Sequence, residues 1–238
     1  MKLLRDFLVC VWAMMPGGLA ACDLALVLAV DVSGSVDAGE YRIQMGGLAE
    51  ALRDPVVSEA LVRARARVLL MQWSGASRQQ TTIDWTTVDS FAASDRLADR
   101  VEENPRVWRN FSTAVGEALQ HGLAAFDTAG PCARRLIDVS GDGVSNEGIA
   151  PGEVHPALRA AGVTVNAIAI EASEPDLTAY FYENVITGEG AFVVTAQRFE
   201  DYPDRIRRKL LREVTQATAS LVENGGVRAP VTGAPRSD

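Results

Sequence analysis

Lysine is nearly missing from this chain of 238 residues: Lys2 and Lys209 are the only two. No Gly-x-x-x-x-Gly-Lys run is present, which excludes P-loop phosphate binding. No lysine lies near the polar segments described below, which excludes Schiff-base catalysis there. Histidine is equally scarce. His121 and His155 are far apart and not spaced as a ligand pair, so surface or packing roles suit them and no Ser-His-Asp triad follows. Positive charge is short as well: the formal net charge is -8, and -9 once residues 1–21 take away Lys2, Arg5 and Asp6. An acidic protein of this kind repels nucleic acid and anionic lipid. Beyond residue 21 no apolar run is long enough to cross a bilayer. What is present, 47% hydrophobic and 23% charged residues, describes an ordinary globular protein with one core.

Residues 1–21 read as a secretory signal. Lys2 and Arg5 form its basic start, residues 7–15 its apolar core, and Gly18-Leu19-Ala20 its small-residue cleavage region. Of three cysteines, Cys10 leaves with this leader, and Cys22 and Cys132 remain as an even pair in an oxidising compartment. Cys22 precedes one apolar run and Cys132 another, at 136–139. If those runs are parallel neighbouring strands, both cysteines sit at one end of the sheet, within disulfide reach. Alternatively, Leu19-Ala20-Ala21-Cys22 resembles a bacterial lipobox with Cys22 acylated. The lack of a linker between Cys22 and the strand favours the disulfide, and with it a periplasmic or secreted bacterial protein over a lipoprotein anchored through Cys22.

The run from Leu24 to Val30 is apolar without alternation, as expected of a strand covered on both faces in a parallel sheet. It stops at Asp31, and Asp31, Ser33 and Ser35 then alternate along a turn, with Gly34 permitting close backbone approach. Three hard oxygens converging on one point suit Mg²⁺ or Mn²⁺ better than zinc.

Downstream, Tyr41, Met45, Leu48, Ala49 and Leu52 recur at helical spacing after Asp37, and Asp54-Pro55 interrupts them. A short helix at 56–64 leads to a strand at 67–73. The tight turn at 74–77 makes the next strand, 79–85, antiparallel and an edge. Trp73 and Trp85 are expected to pack. A helix at 90–103 is followed by a loop to Ser112, and Ser112-Thr113 opens another helix, where a threonine ordinarily serves as an N-cap. The run Leu136-Ile137-Asp138-Val139-Ser140-Gly141-Asp142-Gly143 follows, then a helix at 153–161, a strand at 163–170, a helix at 176–185 and a strand at 191–194. The last helix, 199–222, buries Tyr202, Ile206, Leu210, Val214, Ala217 and Leu221. Arg205, Arg207, Arg208, Lys209 and Arg212 read as its solvated face, with an anionic-surface site as the alternative. Residues 224–238 read as a loose tail.

Three of these segments together resemble the metal-ion-dependent adhesion site of von Willebrand factor A (VWA) domains. Asp31-x-Ser33-x-Ser35 matches its first segment, Thr113, three residues before Gly116, its metal-loop threonine, and Asp142-Gly143 its closing Asp-Gly. The chain departs from the common pattern where Phe111-Ser112 replaces Gly-Gly before the threonine, so side chains there narrow the site or fix the loop differently. The resemblance spans residues 24–222. Residues 30–37 and 137–143 look most like a secreted bacterial VWA-like family of unknown function.

The resemblance implies an open, doubly wound α/β sheet of six strands in the order 3-2-1-4-5-6, with strand 3 antiparallel and helices on both faces, over residues 22–223. Asp31 and Asp142 then meet at the switch point between strands 1 and 4, where such sheets bind ligands. It also implies Mg²⁺ or Mn²⁺ held by Asp31, Ser33, Ser35, Thr113 and Asp142, and a protein partner whose Asp or Glu carboxylate completes the shell. That is a binding module, not an enzyme. Two alternatives are a Mg²⁺-dependent phosphohydrolase with Asp31 as nucleophile and a metal-free structural module. Ser33 disfavours the former, because the corresponding phosphohydrolase pattern has a second aspartate there. Asp138, a carboxylate in a covered run, needs donors from hydroxyls or an arginine. It either supports the metal ligands from behind or holds structural hydrogen bonds.

Overall fold

Eight consecutive side chains, Leu24 through Asp31, are at most 2% exposed, so the strand that carries them lies at the centre of the molecule. This is β1 (Cys22–Asp31) in the computed structural model, which describes residues 22–172 and 174–224. The expected leader, the tail from residue 225 and the side chains of Ala217 and Leu221 lie outside the described residues.

Around β1 stand β2 (Arg67–Trp73), β3 (Gln79–Thr87), β4 (Cys132–Gly141), β5 (Val163–Ile170) and β6 (Val193–Ala196), in the order β3-β2-β1-β4-β5-β6. Only β3 runs antiparallel, against β2; every other pairing is parallel. Order and directions are as the resemblance implied. The chain reverses its winding between β1 and β4, and the carboxyl ends of those strands are where sheets of this kind bind ligands.

The pleat divides β1 between two cores. Leu24, Leu26, Leu28 and Val30 face helices α1 (Ala38–Arg53), α2 (Pro55–Arg63), α3 (Phe91–Glu102) and α7 (Tyr202–Asn224). The smaller Ala25, Val27 and Ala29 face α4 (Val115–Ala125), α5 (Pro151–Ala160) and α6 (Leu177–Asn184). In α1, Met45, Leu48 and Leu52 are each at most 2% exposed, and burying such a side chain contributes about 1.5–3 kcal/mol. A capping box starts this helix: Asp37 Oδ1 accepts from Gly39 and Glu40 N–H, and Glu40 Oε2 accepts from Asp37 N–H at 2.6 Å. Asp54 ends it and caps α2 at the Asp54-Pro55 step.

Cys22 and Cys132 stand opposite each other in the β1–β4 register and form a disulfide. Both cysteines lie inside their strands, because β4 begins at Cys132, well before its apolar run. The bond closes a sequence separation of 110 residues, for which chain entropy gives roughly 4–5 kcal/mol of stabilisation.

The last helix differs from expectation. Lys209 does not join a solvated basic face: it is 1% exposed and pairs with Asp138 of β4 and with Glu213. Asp138 therefore takes its donor from a lysine 71 positions later, not from a hydroxyl or an arginine. Arg207 and Arg208 are balanced by Asp204, and the Arg212 guanidinium stacks 3.7 Å from the Phe192 ring centroid.

Candidate metal centre

Three loops meet at the carboxyl ends of β1 and β4. Asp31 closes β1 with its side chain wholly buried, and its Oδ1 accepts the Ser33 N–H at 2.7 Å. The turn this makes brings Ser33 Oγ within 3.2 Å of Ser35 Oγ. Ser35 Oγ then donates to Asp142 Oδ1 at 2.6 Å, joining the first segment to the third. Two outside contacts fix the turn. Gly34 N–H donates to Phe111 O at 2.8 Å, and Arg106 Nη2 donates to Val32 O at 3.0 Å and Ser33 O at 2.8 Å.

The threonine segment is pinned from two sides. Ser74 O accepts the Ala114 N–H and Ser74 Oγ donates to Ser112 O. On the other side Asn146 Oδ1 accepts the Thr113 N–H at 3.0 Å while Asn146 N–H donates to Thr113 O at 2.9 Å. Helix α4 starts only at Val115, with Ala114 at the N-cap position, and Val115 N–H is satisfied by Ser145 Oγ. Thr113 is thus not the cap that its position suggests. Its Oγ1 lies 3.9 Å from where a Cβ on Gly143 would stand, which sets it beside the Asp142-Gly143 turn. Gly116 matters for the same contact: a Cβ there would lie 2.3 Å from Ile149 O, so only glycine lets the 145–149 loop close over the start of α4.

The electrostatics of the cluster are unbalanced. Asp31 Oδ2 is buried with no hydrogen-bond partner, and a Cβ on Gly141 would crowd it at 3.2 Å. Burial, and then the negative Asp142 nearby, push the Asp31 carboxyl up to about 7 against the stabilising Ser33 hydrogen bonds. Burial raises the Asp142 carboxyl too, while the Ser35 hydroxyl and Arg106 oppose it. Two buried acids, one with an orphaned oxygen and the other bonded to a serine hydroxyl, are a set of donors that a cation fits. Among the described residues no group of three or more His, Cys, Asp and Glu could hold a metal. The donors gathered here are oxygens only, two carboxylates and the hydroxyls of Ser33, Ser35 and Thr113, a set matched to a hard cation.

Asp138 is not part of this gathering; it sits four residues earlier on β4, opposite Leu28 and Asn166. His121 bonds Thr81 and His155 the Val185 carbonyl, both as packing groups. Arg106 and Asn146 were not foreseen from the sequence. Arg106 follows an Asn-Pro helix stop with nothing to mark it, and Asn146 lies in a polar loop whose composition reads as ordinary turn. At the rim, the Arg78 guanidinium lies 3.5 Å from the ring centroid of Phe111, which is 39% exposed. The Phe111-Ser112 departure therefore shapes the edge of the site, while the backbone of both residues braces its loops.

A family described as "Protein of unknown function (DUF1194)" matches residues 21–218. No curated protein matches. Among solved structures, proximal thread matrix protein 1 from the mussel byssus, with a zinc-occupied MIDAS motif, superposes with a TM-score of 0.57 at 21% identity, over 83% of this chain and 49% of that one. A von Willebrand factor type A protein from Catenulispora acidiphila gives 0.53 at 18%, over 80% and 42%. The pilus adhesin SpaC from Lactobacillus rhamnosus GG gives 0.57 at 14%, over 83% and 30%. The chain spans about half the length of these proteins or less, and at such identities the likeness is one of fold: a VWA-like α/β domain.

Proposed function

This chain belongs to the DUF1194 family, whose description states no activity, and we propose that it is a binding module engaging a protein partner through a divalent cation held by Asp31, Ser33, Ser35, Thr113 and Asp142. The observation that carries this reading is the buried, partnerless Asp31 Oδ2, with a second raised carboxylate, Asp142, nearby and bonded to the Ser35 hydroxyl, itself 3.2 Å from that of Ser33. When bound, Mg²⁺ or Mn²⁺ supplies an electrophilic centre with room for one oxygen from outside.

Asp31 and Asp142 furnish the negative charge and the three hydroxyls neutral oxygen atoms. With only two acids in the set, an Asp or Glu carboxylate of the partner is the natural completing ligand. Arg106 keeps the Ser33 turn in place from behind. That a pilus adhesin and a byssus matrix protein share the fold supports a role in protein binding rather than turnover.

Among the described residues no helix is long and apolar enough to cross a membrane. A leader at 1–21 and a Cys22 whose sulfur is engaged with Cys132 together support a periplasmic or secreted protein over one acylated at Cys22.

Titration calorimetry of the mature protein with Mg²⁺, Mn²⁺ and Zn²⁺ tests the cation. Saturable binding lost in Asp142→Ala is expected, and no heat with any of the three removes the proposal. Capture from an envelope fraction with and without chelator tests the partner. Capture that is unchanged by chelator and by Asp142→Ala would separate partner binding from the metal.

A further inference from the structure

Lys209, the one lysine beyond residue 2, is carried by α7 into the interior, where its ammonium touches two carboxylates. Lys209 Nζ is in direct contact with Asp138 Oδ1 and lies 2.6 Å from Glu213 Oε1, one helical turn further along α7. All three side chains are at most 2% exposed. Asn166 Nδ2 donates to the same Glu213 oxygen at 2.9 Å, and the Phe192 ring and the buried Tyr202 are close by. Asp138 Oδ2 and Glu213 Oε2 are buried without partners.

As an ion cluster this arrangement is poorly matched. One ammonium faces two carboxylates in a dry interior, and removing several charges from water is costly even when they are paired. Burial, and then the negative charge of Asp138, push the Glu213 carboxyl up to about 8, so at neutral pH it retains a proton. An amine, a carboxyl group in contact with it, and a neutral acid touching the amine are the three components of amide condensation. In water the ionised acid and amine are favoured over the amide because both ions are solvated. Here that solvation is withheld, and well-oriented groups reach effective molarities of about 10⁵–10⁸ M.

We propose that Lys209 Nζ and Asp138 Cγ condense to an internal amide that ties α7 covalently to β4, with Glu213 as the proton carrier. Lys209 passes a proton directly to the Asp138 oxygen that it touches, and the freed amine lone pair attacks Asp138 Cγ. The second proton leaves nitrogen for that same oxygen by way of Glu213, which touches the nitrogen, the C–O bond to the protonated oxygen breaks, and that oxygen departs as water. The sum is ammonium plus carboxylate giving amide plus water. No oxidant or reductant takes part, and Glu213 ends with the proton it began with. One of the two Asp138 oxygens is removed, and two buried charges become one neutral group.

The intact mass of the purified mature protein decides this. Expected is a species lighter than the calculated chain by one water in addition to the two hydrogens of the disulfide, with the water loss surviving denaturation and reduction. Proteolysis should give a branched peptide joining the Asp138 segment to the Lys209 segment, with no tryptic cut after Lys209. Lys209→Arg, which keeps the cation, and Glu213→Gln, which keeps both reacting groups, should restore the full mass of the reduced chain. A wild-type chain lighter by two hydrogens only, cleaved normally after Lys209, overturns the proposal whether or not the variants fold.

Discussion

Ser35 and Asp142, 107 residues apart, are joined by a hydrogen bond of 2.6 Å from the Ser35 hydroxyl to Asp142 Oδ1. This bond couples the turn after β1 to the turn after β4, and it occupies a carboxylate oxygen that the proposed cation would claim. Uptake of that cation would therefore turn Ser35, since the hydroxyl must point its proton away for its oxygen to serve as a ligand.

Asp142→Ala should abolish saturable Mg²⁺ and Mn²⁺ binding while leaving the far-ultraviolet circular dichroism spectrum unchanged. Without metal the variant should also be no less stable than the parent, because it removes a buried like charge from Asp31. Calorimetric titration and thermal melting in chelator check both halves.

In chelator, stability should depend on pH through Asp31. Its folded pKa, about 7, lies above the ordinary 3.8, so the native state holds the proton that the unfolded chain releases. Stability is therefore greatest below pH 4 as far as this group is concerned and falls as pH rises toward 7, by about 4 kcal/mol at most. Asp31→Asn should flatten that part of the melting profile, measured from pH 4.5 to 7.5. A profile as steep in Asp31→Asn as in the parent would assign the dependence to other groups.

Arg106→Ala should weaken metal binding about 10- to 100-fold, the range for removing a group that orients ligands without touching the ion. It deletes the donors to Val32 O and Ser33 O. Arg106→Lys should recover only part of the loss, since one ammonium replaces a planar fork. Titration of both variants beside the parent gives the comparison.

Gly116→Ala should destabilise the fold by about 1–3 kcal/mol, the usual cost of overpacking. Its methyl group would collide with Ile149 O and Cγ1 and displace the loop that holds Thr113 through Asn146. Urea unfolding measures the first effect, and a weaker metal affinity reports the second.

Cys22→Ser with Cys132→Ser should cost about 2–5 kcal/mol and leave a protein whose melting no longer responds to reductant. The parent should gain two hydrogens in mass on reduction and carry no lipid on Cys22.

The architecture was legible because each signal for it was local. The seven-residue apolar run before Asp31, the tight turn at 74–77 and the helical spacing from Tyr41 to Leu52 each constrain one element, and parallel pairing follows once strands and helices alternate, whereas the strand order rested on the resemblance. The start of β4 was not legible. Arg134 and Arg135 interrupt the apolar pattern, yet both sit in the strand and direct their guanidinium groups to the carbonyls of Glu213 and Ala161 at helix turns nearby. Lys209 was misplaced for a related reason: a helical period says which residues share a face, but not that a carboxylate of β4 waits on the other side. The same holds for Arg106 and Asn146, whose partners are backbone atoms of segments distant in sequence, and no residue pattern encodes those pairings. The three oxygen-bearing turns were legible as a set because their residue types, unlike their contacts, are written in the chain.

The disulfide fastens β1 to β4 at one end of the two central strands, and the oxygen-bearing turns lie at the other. A partner held at those turns and drawn away from the protein would load both strands along their length and in the same direction. Their ladder, paired from Cys22 to Val30, and the covalent staple at its far end would share that load between the two strands.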